Sequence, residues 1–154
     1  MRILSLLVIS GVLAAGCGGD SGEPLISGSM TAEFAGTMFT PVNGFATIYQ
    51  GKGLIVVGTG SVHCGSETSN SPPSGRNAII SIPALAVGSY SNVLIQVSET
   101  SGGGFHSSGS NSGSVTITSV TAETVAGTVA YEHTSSSDQK HYAINGSFET
   151  VHCQ

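Results

Sequence analysis

The tripeptide Val-His-Cys occurs twice in this chain, at residues 62–64 and 151–153. Two cysteines and two histidines are, by residue type, a complete ligand set for a zinc ion. Neighbouring residues of a strand point to opposite faces of a sheet, so each His-Cys pair would straddle its sheet instead of converging on one ion. This geometry disfavours a Cys₂His₂ site made of His63, Cys64, His152 and Cys153.

Histidines alone offer a second metal-binding arrangement. His133 and His141 flank a turn at residues 134–140 and could face one another across a hairpin, with a second pair formed by His63 and His152. Paired neutral imidazoles suit zinc, copper or nickel. Solvated surface histidines are the simpler interpretation. The four therefore remain weak candidate ligands, and no metal ion or other cofactor is predicted.

Catalytic chemistry has little support in the sequence. Serines are abundant, but no Gly-x-Ser-x-Gly stands between a strand and a helix, where a nucleophile elbow requires it. The glutamates fall mostly at outward-facing strand positions or in turns, which a solvated strand face explains. No catalytic residue is predicted, and a secreted hydrolase is the weakest of the functional hypotheses.

The elements that would position these residues are strands. After residue 17, short alternating runs of β-branched and aromatic residues are separated by Gly, Ser, Asn and Pro. About eight or nine strands at this spacing predict an all-β fold, a single antiparallel β-sandwich or flattened barrel. The expected strands are residues 30–34, with 36–40 as an extension or bulge of that strand, 44–49, 54–63, 78–82, 91–99, 115–118, 124–133 and 141–152.

Two segments between the expected strands are candidate binding loops. Residues 66–76 hold Pro72, Pro73 and several serines, and residues 101–114 are a Gly/Ser-rich stretch of low complexity. The second segment cannot bury enough apolar surface to order itself, so we expect a mobile hairpin loop or strand connection. Loops on a rigid β-scaffold are where binding function usually lies.

The N-terminus has the form of a secretory signal. Arg2 supplies the positive charge, residues 3–12 the apolar stretch and residues 14–16 the small residues before the cut. The sequence Leu13-Ala14-Ala15-Gly16-Cys17 resembles the lipobox of bacterial lipoproteins. The resemblance implies that Cys17 becomes the lipidated N-terminus, carrying fatty acyl chains such as palmitate. It also implies a lipid anchor in the cell envelope, with Gly18 favouring the outer membrane if the host has two membranes.

The lipobox divides the chain and assigns its three cysteines. We expect a signal peptide at residues 1–16, a lipidated flexible tether at 17–28 and a β-sandwich domain at 29–154. If Cys17 is acylated, Cys64 and Cys153 remain, and an oxidising compartment makes a disulfide between them the default.

The last third of the chain resembles uncharacterised secreted bacterial lipoproteins. The shared motifs are Gly-x-Val-x-Ile at residues 113–117, Val-x-Gly-x-aliphatic at 125–129 and Asn-Gly-x-Phe at 145–148. This resemblance implies a lipid-anchored β-sandwich of unknown role.

Charge narrows the classes of partner. After residue 16, nine acidic residues stand against three basic ones, a net charge of about −6. Nucleic acid is not an expected partner, because its binding needs clustered Lys and Arg. We expect a binding or structural module held to the membrane by its N-terminal lipid, with an unidentified envelope protein or glycan as partner. An envelope metal-binding protein is the alternative.

Overall fold

The computed structural model describes residues 22–25, 27–66 and 73–154. The all-β prediction is confirmed, with no helix in the described part of the chain. The described strands are β1 (Ser27–Gly28), β2 (Thr31–Phe34), β3 (Thr37–Phe39), β4 (Asn43–Tyr49), β5 (Lys52–Gly58), β6 (Gly75–Ile82), β7 (Gly88–Ser101), β8 (Gly104–Val120), β9 (Thr124–Thr134) and β10 (His141–His152).

Seven of these strands close into a barrel, so the two packed sheets of a sandwich are not formed. Strands β4 to β10 pair antiparallel in chain order. The end of β10 returns to β4 and pairs with it in parallel, through Val151 with Phe45 and His152 with Ala46. Strands β1 and β2 pair with the other edge of β10, and β3 pairs with β2, so these three lie outside the closed wall.

Strand alternation puts one apolar face of the barrel wall inside. Ile55 and Val57 of β5, Ile80 of β6 and Ile95 of β7 are fully buried in one continuous core. Burying such a side chain contributes about 1.5–3 kcal/mol relative to leaving it exposed. Each strand of the wall contributes one face to this interior core, which explains why alternating β-branched residues recur in nearly every strand.

A second, smaller apolar cluster covers the outer face of the wall. After β5 the chain leaves the sheet, although the sequence predicted a strand up to His63, and Val62 packs on Phe45 and Val56. Cys64 and Cys153 border this cluster, with their sulfur atoms 2.00 Å apart, at disulfide-bonding distance. The cysteine pair predicted from the sequence is thus brought together, and it fastens the outer segment to the end of the chain.

The prediction of a mobile loop or strand connection at residues 101–114 is wrong. Only the turn at Gly102 and Gly103 lies outside the strands, and β8 begins at Gly104. The order comes from pairing with β7, which satisfies the backbone groups on one edge without burying side chains. Gly109 suits this pairing because a Cβ there would lie 2.6 Å from the carbonyl oxygen of Ile95.

Part of the predicted tether is held against the barrel. Residues 22–25 run beside β4, where the Gly44 amide donates to the Glu23 carbonyl, and β1 pairs with β10. The signal peptide at 1–16, Cys17 and residues 18–21 lie outside the described residues. No helix in the described ranges is long and apolar enough to cross a membrane.

Candidate functional site

One end of the barrel opens into a cavity of about 330 Å³, which we call the mouth. It lies where β2, β7 and β9 end and where β6, β8 and β10 begin. Its volume is at the lower end of the range for small-molecule sites. The lining residues are Phe34, Ala35, Thr37, Arg76, Glu99, His106, Asp138, Lys140 and Tyr142.

One wall of the mouth is a row of three polar residues across three strands. Arg76 of β6 pairs in register with Glu99 of β7, which pairs in register with His106 of β8. Ala78 and Val97, two positions further into the same strands, belong to the barrel core. Because residues two apart share a face, strand alternation points the polar row towards the interior at its open end.

Arg76 and Glu99 form an ion pair within this row. The Arg76 Nε donates to Glu99 Oε1 at 2.8 Å, and about a quarter of each side chain is exposed, 27% and 26% respectively. Pairing neutralises both charges locally, and it holds the two side chains across the cavity wall.

The opposite wall is the turn between β9 and β10. The Asp138 carboxylate accepts hydrogen bonds from the Tyr142 hydroxyl at 3.0 Å and from the Lys140 amide at 3.2 Å. A hydrogen bond from the Ser135 hydroxyl, followed by the one from the Lys140 amide, lowers the pKa of Asp138 below its ordinary value. Burial, followed by the hydrogen bond to Asp138, raises the pKa of Tyr142. At neutral pH, Asp138 is therefore a carboxylate and Tyr142 a protonated phenol.

The floor of the mouth is aromatic. Phe34 and Tyr142 meet edge to face with their ring centroids 5.3 Å apart. Such pairs contribute about 0.5–1.5 kcal/mol beyond the area they bury. The contact joins β2 to β10, and both rings line the mouth together with its polar groups.

The charges at the mouth leave one cation without a carboxylate at ion-pair distance. Glu99 is paired with Arg76, and Asp138, which attracts Lys140 electrostatically, is engaged by the hydrogen bonds of its own turn. Within the described ranges, no carboxylate lies within ion-pair distance of the exposed Lys140 ammonium group. Two of the three Lys and Arg residues in the described part of the chain, Arg76 and Lys140, line this one cavity. Because Lys140 has no ion-pair partner among the described residues, a ligand that carries an anionic group fits beside it.

The structure does not bring His133 and His141 together. His133 pairs in register with Tyr142, and His141 with Thr134, so the two histidines lie on opposite faces and the expectation that they face one another is wrong. His141 instead contacts Glu33, Nδ1 to Oε2, at 3.0 Å.

The other two candidate histidines, His63 and His152, belong to no cluster of three or more metal-ligating side chains in the described residues. The ring of His152 hydrogen-bonds the Thr121 carbonyl, and His63 is exposed beside the disulfide. Nowhere in the described ranges do three or more His, Cys, Asp or Glu side chains come together in a way that could hold a metal ion.

Sequence reasoning missed the mouth as a site. The predicted binding loops at residues 66–76 and 101–114 include Arg76 and His106, but the strand pattern predicts a solvated Glu99 and indicates no role for Lys140. The available signal was the position of the rare cations: Arg76 and Lys140 each stand beside the start of a strand, next to a turn. Which of these turns meet in space depends on the closure of the barrel, which local patterns do not encode.

No protein-family model matches this chain, and comparison with curated proteins and with solved structures found no match either.

Proposed function

We propose that this protein is a lipid-anchored envelope protein that binds an anionic ligand at the mouth of its barrel. The observation that carries the proposal is the collection of charged and aromatic side chains around one cavity of about 330 Å³. In this chain of mostly uncharged residues, that concentration stands out, since only 8% of residues are charged. A rigid barrel end with a few convergent polar groups is the usual form of a binding site.

The specificity of the site comes from the groups that are already engaged. Glu99 and Asp138 are held by internal partners, so they do not offer their negative charge freely to a cationic ligand. The Lys140 ammonium group and the His106 ring remain at the rim, and the ring of Phe34 lies at the floor. A small carboxylate with a short apolar portion fits this combination.

The anchor proposal rests on the lipobox ending at Cys17. Residues 22–25 are held against the barrel, so only residues 18–21 would separate the lipidated cysteine from the folded part. Five consecutive residue steps of a fully extended chain span at most roughly 18 Å. In this proposal the barrel is therefore held close to the membrane surface, at the outer membrane if the host has two membranes.

The anchor is tested separately from the binding site. Mass spectrometry of the protein isolated from its bacterial membranes should find acyl chains on an N-terminal Cys17. A Cys17→Ser variant should lose them and leave the membrane fraction or stay uncleaved. Recovery of an unmodified Cys17 in the membrane-bound protein would contradict the anchor.

The binding site is tested with a matched pair of ligands and a matched pair of variants. N-acetyl-L-glutamate should bind more tightly than its neutral diamide, N-acetyl-L-glutaminamide, in isothermal titration or NMR titration. Lys140→Gln should weaken glutamate binding by about 1.5- to fivefold, the range expected for one exposed ion pair. Lys52→Gln removes the same charge at the β4–β5 turn, away from the mouth, and should leave binding unchanged.

Two results would contradict the proposed site. Equal affinity for N-acetyl-L-glutamate and its neutral diamide would mean that the mouth does not select an anion. Equal losses in Lys140→Gln and Lys52→Gln would mean that overall charge, and not the mouth, attracts it.

A further inference from the structure

The first half of β8 has an unpaired edge. Its residues pair with β7 from Ser101–Gly104 onwards, but pairing with β9 begins only at Ser114, opposite Ala130. No strand in the described part of the chain lies against the second edge of residues 104–113. Residues 104–109 therefore present a row of backbone N–H and C=O groups without strand partners, which ends before the irregular pairing of β8 with β7 at Asn111 and Ser112.

Residues 104–109 of this edge lack the features that usually block strand addition. Natural sheets protect their edges with Lys, Pro, inward-pointing charges, β-bulges or very short strands, and the bulge of β8 lies beyond this stretch, at Asn111 and Ser112. Residues 104–113 read Gly-Phe-His-Ser-Ser-Gly-Ser-Asn-Ser-Gly, with no proline and no Lys, Arg, Asp or Glu. Most of their side chains are small and exposed, so another strand can approach the backbone closely.

The free edge begins at the mouth. His106 belongs to both, because it is a residue of the unpaired stretch and also lines the cavity. Asp138 and Lys140, on the turn after β9, line the same cavity. A strand lying along β8 would consequently have one end beside the Lys140 ammonium group.

We propose that the anionic ligand is an extended polypeptide segment, which adds as a strand to the free edge of β8 and places a carboxylate at Lys140. This inference rests on the proposed anion site and names the class of its ligand. Main-chain hydrogen bonds to residues 104–109 supply affinity, and the mouth selects the carboxylate, which is the usual division of roles in strand addition.

The test begins with a synthetic library of N-acetylated linear hexapeptides that have free C-terminal carboxylates, screened against the purified protein. The tightest-binding hexapeptide is made again with N-methyl groups at residues 2 and 4, or at residues 3 and 5. Successive N–H groups of a strand point to opposite sides, so only one methylation pattern blocks pairing with β8. We expect one pattern to weaken binding at least tenfold and the other less than threefold.

The protein side of the contact is tested by Ser107→Pro and Ser108→Pro. Of two neighbouring amides, one faces β7 and the other faces the free edge, where proline is tolerated. The variant that retains the wild-type unfolding temperature should lose hexapeptide binding but keep N-acetyl-L-glutamate binding. Retained hexapeptide binding in that variant would overturn the strand-addition proposal.

The remaining outcomes separate this proposal from the proposed function. No hexapeptide tighter than N-acetyl-L-glutamate, or equal effects of both methylation patterns, would overturn strand addition and leave the anion site standing. If one methylation pattern weakens hexapeptide binding strongly but Lys140→Gln leaves hexapeptide binding unchanged, the anion site itself would be overturned. Sedimentation of the wild-type protein as a dimer that a proline variant converts to a monomer would assign the edge to a second copy and overturn the peptide partner.

Discussion

Removal of the Cys64–Cys153 link is expected to destabilise the barrel mainly through its unfolded state. The two cysteines are 89 residues apart in sequence, and their Cα atoms are 5.6 Å apart in the fold. For a closed loop of that length the chain-entropy relation gives about 4.6 kcal/mol at 25 °C, and measured effects for native links are typically about 2–5 kcal/mol. For a domain of this size, the corresponding fall in Tm is roughly 10–15 °C.

The assay compares the double variant Cys64→Ala/Cys153→Ala with wild type in thermal and urea unfolding. Because the link restricts the unfolded chain, its loss should also raise the urea m-value. Val62→Ala is the matched control, since it trims the same outer cluster while keeping the link. It should cost about 2–3 kcal/mol without changing the m-value. A double variant that melts within about 3 °C of wild type would refute this reasoning.

Two further predictions concern the barrel wall and the mouth. Gly127→Ala should lower the free energy of unfolding in urea by about 2–4 kcal/mol, because its Cβ would lie 2.3 Å from the Thr116 carbonyl oxygen. At Gly51 a Cβ would meet open space, and the strain would come only from the positive φ, so Gly51→Ala should lower the free energy of unfolding by about 1 kcal/mol. Equal losses in Gly127→Ala and Gly51→Ala would contradict the close approach of Gly127 to Thr116. The Tyr142 phenol should ionise above its ordinary pKa of about 10, as the absorbance difference at 295 nm between wild type and Tyr142→Phe would show. The raised pKa of Tyr142 stabilises the folded state at pH values below the pKa of the unfolded chain, and this stabilisation is lost as the pH rises towards the pKa of the folded state. Ionisation of Tyr142 at or below its ordinary pKa would contradict this prediction.

The strand pattern was predictable where alternation was strong. The apolar run at residues 78–82 lies within β6, and the alternating runs at 124–133 and 141–152 lie within β9 and β10. In these segments the core face is specified by the residues themselves, because a one-residue shift would expose every apolar side chain.

The first half of β8 was not predictable in the same way. Its Gly and Ser residues show no apolar alternation, and its order comes from the ladder with β7, which is a tertiary contact. Barrel closure is likewise non-local, since it depends on a parallel pairing between Val151 and Phe45. The row of Arg76, Glu99 and His106 follows from the registers of three strands, so local sequence could not place these residues together.

The most direct test of the anion site is a ¹H–¹³C NMR titration of the lysine Cε resonances with N-acetyl-L-glutamate. The chain has only two lysines, Lys52 and Lys140, so the spectrum contains the site and its control together. Binding at the mouth predicts a saturable shift of the Lys140 resonance and none of the Lys52 resonance. Equal, non-saturating shifts of both lysines, or no shift of Lys140, would contradict the assignment of the mouth as an anion-binding site.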